Sequence, residues 1–290
     1  MCATCGCESK DEVSILKPGE VKNQDHLHDH GHSHDHIHSH DHSHGHSHGH
    51  SHGHSHDHSH HHDHDHKSTS VTVNLERDVL HKNDLMAERN RGFFEARYIT
   101  ALNLVSSPGS GKTTLLEATI KSLKEKTPLY IIEGDQQTMN DANRIASAGA
   151  PVVQVNTGKG CHLDSDMIHK SIEKLNPVEG SILFIENVGN LVCPSMFDLG
   201  ETERIVIMSV TEGEDKPLKY PNMFETSQIC IINKIDLLPY LQYDLEKAKR
   251  YALQVNPNLT FLEVSAQTGE GLEAWFEWLK SRIPKREKVT

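Results

Sequence analysis

Ser106-Ser107-Pro108-Gly109-Ser110-Gly111-Lys112-Thr113 stands between an apolar run at 101–105 and a helix-forming stretch at 112–126. A glycine-rich loop joining a buried strand to a helix has few homes. It predicts an open, mainly parallel sheet whose ligand sits beyond the carboxyl ends of the strands. Short β-rich runs follow at 129–132, 152–155, 182–185, 205–210, 229–232 and 259–264. They are too short for buried helices and read as strands. Helical stretches separate them at 139–148, 163–175, 243–255 and 272–282, and residues 75–96 predict one or two helices ahead of the first strand. The expected fold is α/β, a P-loop NTPase with helices on both faces of a mainly parallel sheet.

The loop itself predicts phosphate binding. Gly109 and Gly111 let backbone amides turn inward around phosphate oxygens, and Ser110 and Thr114 complete the cradle. Lys112 is expected to reach the β- and γ-phosphates and the Thr113 hydroxyl to hold Mg²⁺ at the helix N-terminus. Ser106 replaces the usual first glycine.

Asn233-Lys234-Ile235-Asp236 follows the run at 229–232. The Asp236 carboxylate only accepts hydrogen bonds. Guanine offers two donors on one edge, where adenine offers a lone pair, so GTP is expected over ATP. Asn233 and Lys234 would brace this loop, and the backbone at Ser265-Ala266 can meet the guanine O6. Asp135 and Glu186 lie at strand ends and are candidates to hold Mg²⁺ or to orient the attacking water. The sequence does not separate those two roles.

Twenty-two of the 25 histidines fall in one 41-residue tract, from His26 to His66, whose remainder is Ser, Asp, Gly, one Leu and one Ile. No core can be built from this composition, so the tract is expected to be disordered. Neutral imidazoles bind Ni²⁺, Cu²⁺, Zn²⁺ and Co²⁺, which predicts high capacity with low selectivity. Cys2, Cys5 and Cys7 form a Cys-x-x-Cys-x-Cys head that can surround one soft or borderline ion such as Ni²⁺ or Zn²⁺. Cys161-His162 and Cys193 flank loops that also serve the nucleotide. They offer three ligands and leave a fourth position for water or a second subunit. Cys230 reads as core, and His81 and His169 as surface residues on helices.

Three zones result: a cysteine head at 1–24, the tract at 25–67 and a nucleotide-binding domain at 68–290. Residues 1–67 are expected to stand outside the fold. The net charge of −12 argues against nucleic acid or an anionic membrane as partner. There is no apolar run of spanning length and no secretory signal at the N-terminus. A cytoplasmic protein with reduced cysteines is expected.

The motifs SSPGSGKTT, EGDQQT, NTGKGCHL, IENVGNLVCP, SVTEGEDKPLKY and NKIDLLP together closely resemble those of the hydrogenase nickel-incorporation GTPases, the HypB family. The resemblance spans residues 71–290 and the cysteine head. It implies a G domain of the dimerising nucleotide-switch (SIMIBI) type, slow GTP hydrolysis and a nucleotide- and metal-dependent homodimer. It also implies Ni²⁺ delivery to the [NiFe]-hydrogenase large subunit precursor, assisted by a HypA-type partner. The family's G-domain ligands map onto Cys161, His162 and Cys193, and its tight N-terminal nickel site onto Cys2, Cys5 and Cys7. The lysine found near the start of the loop in other dimeric ATPases is absent, and Ser107 stands close to its place. Alternative readings are a nickel storage protein, or a maturation GTPase for another nickel enzyme such as urease.

Overall fold

The computed structural model describes residues 13–20, 67–135, 138–158 and 160–283. The cysteine head ligands and the histidine tract lie outside the described residues.

Eight strands form one sheet: β1 (Ser14–Leu16), β2 (Thr100–Ser106), β3 (Leu129–Asp135), β4 (Val152–Asn156), β5 (Ile182–Glu186), β6 (Glu203–Ser209), β7 (Ile229–Asn233) and β8 (Thr260–Glu263). Their spatial order is β1-β4-β3-β5-β2-β6-β7-β8, and every pairing except that of β1 with β4 is parallel. The principal helices are α1 (Lys67–Ala96), α2 (Lys112–Leu123), α3 (Asn140–Ala148), α4 (Ser165–Leu175), α5 (Lys216–Lys219), α6 (Pro221–Glu225), α7 (Leu245–Val255) and α8 (Leu272–Arg282).

Every residue of β2 is buried, as expected for a central strand covered on both faces. Successive side chains alternate between the faces. Leu102 and Leu104 join a cluster with Leu115, Ile120, Ile145 and Trp275, drawn from α2, α3 and α8. Ala101 joins the opposite cluster with Phe94, Ile168 and Ile172, from α1 and α4. Val105, Met208, Cys230 and Ile232 pack with Phe224 and Ala248 under α6 and α7. Cys230 is therefore core, and burial pushes its thiol pKa well above the ordinary range.

The stretch at 75–96 lies within one helix, α1, in keeping with the one or two helices expected there. Two other sequence expectations change. Residues 14–16 belong to the fold: β1 adds to the β4 edge, although a three-residue run in a polar head carries no readable period. His169 is not simply on the surface, because its Nδ1 lies 3.2 Å from Asn90 Oδ1 between α4 and α1. His81 is exposed.

Candidate nucleotide and metal sites

The loop after β2 has the shape its glycines predict. Gly109 (φ 74°) and Gly111 (φ 98°) are left-handed. A Cβ at Gly111 would lie 2.4 Å from Asn233 Nδ2, so a side chain there would displace the base-binding segment. Lys112 Nζ donates to Ser106 Oγ at 2.7 Å. The serine at the unusual first position thus holds the lysine at the mouth of the cradle. Burial lowers the Lys112 pKa, against the raising pull of Glu186. Lys216 Nζ donates to Ser107 Oγ at 2.8 Å and pairs with Glu212 at 3.2 Å, so a cation from α5 stands beside the loop.

Beneath the loop, Thr113 Oγ1 donates to Glu186 Oε1 at 2.8 Å. Glu133 is the register partner of Glu186 across β3 and β5, and both are buried. Burial raises Glu186 to about 7 despite Lys112. Burial, followed by the Glu186 charge, raises Glu133 to about 9. Each carboxyl has a buried Oε2 without a hydrogen-bond partner. Two orphaned hard oxygens beside a threonine hydroxyl fit a divalent cation such as Mg²⁺. Asp135 ends β3, but its Oδ2 accepts from Thr138 N at 3.0 Å and Thr138 Oγ1 at 2.8 Å. The structure therefore brings Lys112, Thr113 and Glu186 together and directs these Asp135 bonds into the turn before α3. Glu133 is not among the residues the sequence singles out, because it stands just past the apolar run at 129–132 and meets Glu186 only through the parallel register of β3 and β5.

The base-binding side is braced from Asn233. Its Nδ2 donates to Ser110 O at 2.8 Å, while its Oδ1 accepts from Ala266 N at 3.0 Å and Lys234 N at 2.8 Å. Lys234 Nζ donates to Gly109 O at 2.7 Å. Lys234 takes a left-handed φ of 65°, which turns the chain into the short 3₁₀ segment that carries Asp236. Asp236 Oδ1 is buried without a partner, as an acceptor awaiting a donor would be. Of the two backbone amides at Ser265-Ala266, where one is expected to meet guanine O6, that of Ala266 donates to Asn233 Oδ1 and that of Ser265 to Glu270 O at 2.8 Å. Ser265 is buried, and its Oγ accepts from Thr268 N at 3.1 Å. Thr114 Oγ1 accepts from Arg144 at 3.3 Å.

Cys161, His162 and Cys193 converge, with ligand atoms all within 4.8 Å of one another. Cys161 Sγ lies 3.8 Å from His162 Nδ1. The His162 ring stacks on Phe197 with centroids 3.9 Å apart. Burial lowers the His162 pKa, which keeps the imidazole neutral with a lone pair for a metal. Local chemistry fixes both limbs. The Asp164 side chain caps α4 by accepting from Met167 N, which starts the helix two residues later than the apolar pattern suggests and leaves Cys161-His162 in the preceding loop. Cys193 begins a short 3₁₀ turn. The segment after it is held by a buried pair: Arg204 Nη2 donates to Glu201 Oε1 at 2.8 Å and to Phe197 O at 2.9 Å. Burial would raise the Glu201 pKa, but Arg204 and Asn103 hold it below the ordinary carboxylate value.

Short links join the two sites. Gly134, between Glu133 and Asp135, lies so close to Leu163 that a Cβ there would approach three Leu163 carbons at 2.9–3.0 Å. Thr157 N donates to Asp135 O at 2.9 Å, and Thr157 Oγ1 to Gly160 O at 2.7 Å. Gly189 lies against Pro108 of the phosphate loop, and Asn190 Nδ2 contacts Cys161 O at 3.5 Å.

The family model for the CobW/HypB/UreG nucleotide-binding domain matches residues 100–263. The hydrogenase maturation factor HypB of Azotobacter chroococcum is 56% identical over 213 residues, which is 73% of this chain and 70% of that protein. The crystal structure of HypB from Archaeoglobus fulgidus is 37% identical, with a TM-score of 0.66 over 70% of this chain and 99% of that one. HypB from Helicobacter pylori, solved in complex with nickel, is 34% identical, with a TM-score of 0.65 over 72% of this chain and 100% of that one. With a nucleotide loop, an acidic floor and a Cys-His-Cys cluster joined through shared loops, the chain belongs to the HypB family of hydrogenase maturation factors, within the CobW/HypB/UreG nucleotide-binding group.

Proposed function

We propose that the chain is a GTP-hydrolysing metallochaperone that carries Ni²⁺ to the large subunit precursor of a [NiFe]-hydrogenase, working as a homodimer with a HypA-type partner in the cytoplasm. The observation that carries this reading is the shared loops: Gly134, between Glu133 and Asp135, packs on Leu163 next to His162, and Asn187, next to Glu186, accepts from Leu163 N at 3.4 Å.

In this reading Lys112 leaves Ser106 for the β- and γ-phosphates, and Gly109, Ser110, Gly111 and Thr114 line the rest of the cradle. Thr113 and Glu186 hold Mg²⁺, which supplies charge neutralisation at the transferring phosphoryl group. Asp135 swings from Thr138 to orient the attacking water. Asp236 accepts from guanine N1–H and the 2-amino group, with Asn233, Lys234, Ser265 and Ala266 bracing the ring. Ni²⁺ is cargo on Cys161, His162 and Cys193. Zn²⁺ suits the same three donors, with water or a partner subunit as the fourth. Cys2, Cys5 and Cys7 form a second, tighter site. The tract from His26 to His66 is a low-selectivity store, favoured by its composition.

Phosphate release from GTP tests the nucleotide assignments. Wild-type protein is expected to release it slowly. Lys112→Ala should lose at least about a hundredfold, since removal of one preorganised charge contact costs several kcal/mol at the transition state. Asp236→Asn should lose GTP turnover and gain turnover of xanthosine triphosphate, because an amide can donate where a carboxylate only accepts. Unchanged GTP turnover in either variant refutes the role given to that residue.

A further inference from the structure

Helix α1 supplies no ligand to the Cys161, His162 and Cys193 cluster, yet it holds the two loops that do. Its inward stripe is polar where apolar side chains would be expected. Asn83, Ala87, Asn90 and Arg91 share one helical face by their spacing. Asn83 and Asn90 are both buried, Asn90 completely. A buried amide is costly unless hydrogen bonds replace its water, so the partners of these two side chains carry their meaning.

Each asparagine bridges both loops of the metal cluster. Asn83 Nδ2 donates to Asp198 O at 2.7 Å, its Oδ1 accepts from Ser165 N at 2.9 Å, and its backbone carbonyl accepts from Ser165 Oγ at 2.7 Å. Asn90 Nδ2 donates to Ser165 O at 2.8 Å and to Leu199 O at 3.2 Å. Ser165 closes the loop that carries Cys161 and His162, and Asp198 follows Phe197, on which the His162 ring stacks. Asn90 Oδ1 can only accept, so His169 Nδ1, 3.2 Å away, carries the hydrogen and fixes which way the amide points. Arg91 Nη1 adds a bond to Glu201 O at 3.0 Å. The second loop lies directly on the helix: a Cβ at Gly200 (φ 84°) would come within 2.8 Å of Asn90 Cβ and 2.9 Å of Arg91 N.

We propose that Asn83 and Asn90 are positioning residues for the metal site: two amides on one helix set the gap between the Cys161-His162 loop and the Cys193-Phe197 loop at a width that suits one thiophilic ion. The proposal rests on the nickel-carrier reading for the ion and on α1 for the spacing. Neither amide is itself a ligand. Without them Ser165 and Asp198 turn their backbone groups to water, Phe197 moves with its loop, and the three donors have to be gathered when the ion arrives. A donor set ordered in advance binds more tightly, because that ordering no longer opposes binding.

The test uses full-length, reduced protein carrying Cys2→Ala, Cys5→Ala and Cys7→Ala. In this parent, thiolate-to-nickel absorption reports Cys161 and Cys193, since Cys230 is core. The histidine tract buffers free Ni²⁺ equally in every variant. Asn83→Ala and Asn90→Ala should each weaken Ni²⁺ binding at the thiolates by at least about tenfold, the scale on which groups behind metal ligands act. GDP affinity should stay within about twofold. Thr119→Val is the control: it removes the buried bond from Trp275 Nε1 (2.9 Å), on the opposite face of the sheet, and should lower stability without changing Ni²⁺ affinity. Arg91→Ala serves if a buried substitution does not fold, and should weaken Ni²⁺ binding about threefold, the scale of one hydrogen bond. A second readout needs no nickel. Phenylarsine oxide joins two thiols only where they lie close together, and its affinity should fall about tenfold in Asn90→Ala relative to the parent. Parental affinities for Ni²⁺ and the arsenical in both asparagine variants, or losses matched by Thr119→Val, overturn the clamp. If arsenical binding depends on Asn90 while the parent itself forms no thiolate–nickel band, the clamp stands and the carrier reading fails.

Discussion

At the scale of single residues, Glu133 is the most informative group the sequence left unmarked. It is buried, one oxygen has no partner, and burial with the Glu186 charge raises its pKa to about 9. A raised carboxyl pKa means that the folded protein keeps a proton the unfolded chain has released. Above the ordinary value of 4.5, stability without nucleotide should therefore fall as pH rises, and level off near 9. One group contributes at most about 1.4 kcal/mol per pH unit across that window. Glu133→Gln should flatten the slope and stabilise the metal-free protein at pH 8, measured by urea unfolding from pH 5 to 9. An unchanged slope would show that Glu133 does not hold its proton. The residues that touch phosphate were legible because the loop motif names them. Glu133 was not, because its role depends on a register partner 53 positions away, Glu186, which only the parallel pairing of β3 and β5 brings beside it.

At the scale of elements, the join between sites is a close approach of β3 to the loop before α4. Gly134→Ala would drive a methyl into the fully buried Leu163, so Leu163 and its neighbours must shift. Overpacking of this kind costs about 1–3 kcal/mol. The same shift should weaken Ni²⁺ binding at Cys161, His162 and Cys193 while leaving GDP affinity within about twofold, or about 0.4 kcal/mol, because Gly134 does not line the phosphate cradle. Isothermal titration with each ligand checks this, and parallel losses of both affinities would argue for general unfolding. The seven parallel strands were readable as apolar runs, with helix ends displaced by caps such as Asp164. The edge strand β1 was not, since its three residues gain their order from Val155 and Lys174 rather than from their own pattern.

At the scale of the whole molecule, composition separates capacity from specificity. Twenty-two histidines between His26 and His66 supply many equivalent donors, while one histidine, His162, sits with two cysteines beside the nucleotide loops. Deleting residues 26–66 should leave hydrogenase activity unchanged in cells at ordinary nickel and reduce it under nickel shortage. Loss at all nickel levels would make the tract part of delivery itself. The convergence of Cys161, His162 and Cys193 was suggested by their places after strands, but the link through Gly134, Leu163, Gly189 and Pro108 needed coordinates, because contacts between loops carry no sequence period. Thermodynamic linkage makes that contact measurable: if nucleotide changes nickel affinity, nickel must change nucleotide affinity by the same factor. The direct test is Ni²⁺ titration of protein lacking Cys2, Cys5, Cys7 and residues 26–66, once with GDP and once with a non-hydrolysable GTP analogue. The two affinities should differ by at least about fivefold, the lower end of typical coupling. Identical affinities would contradict coupling between the nucleotide and metal sites.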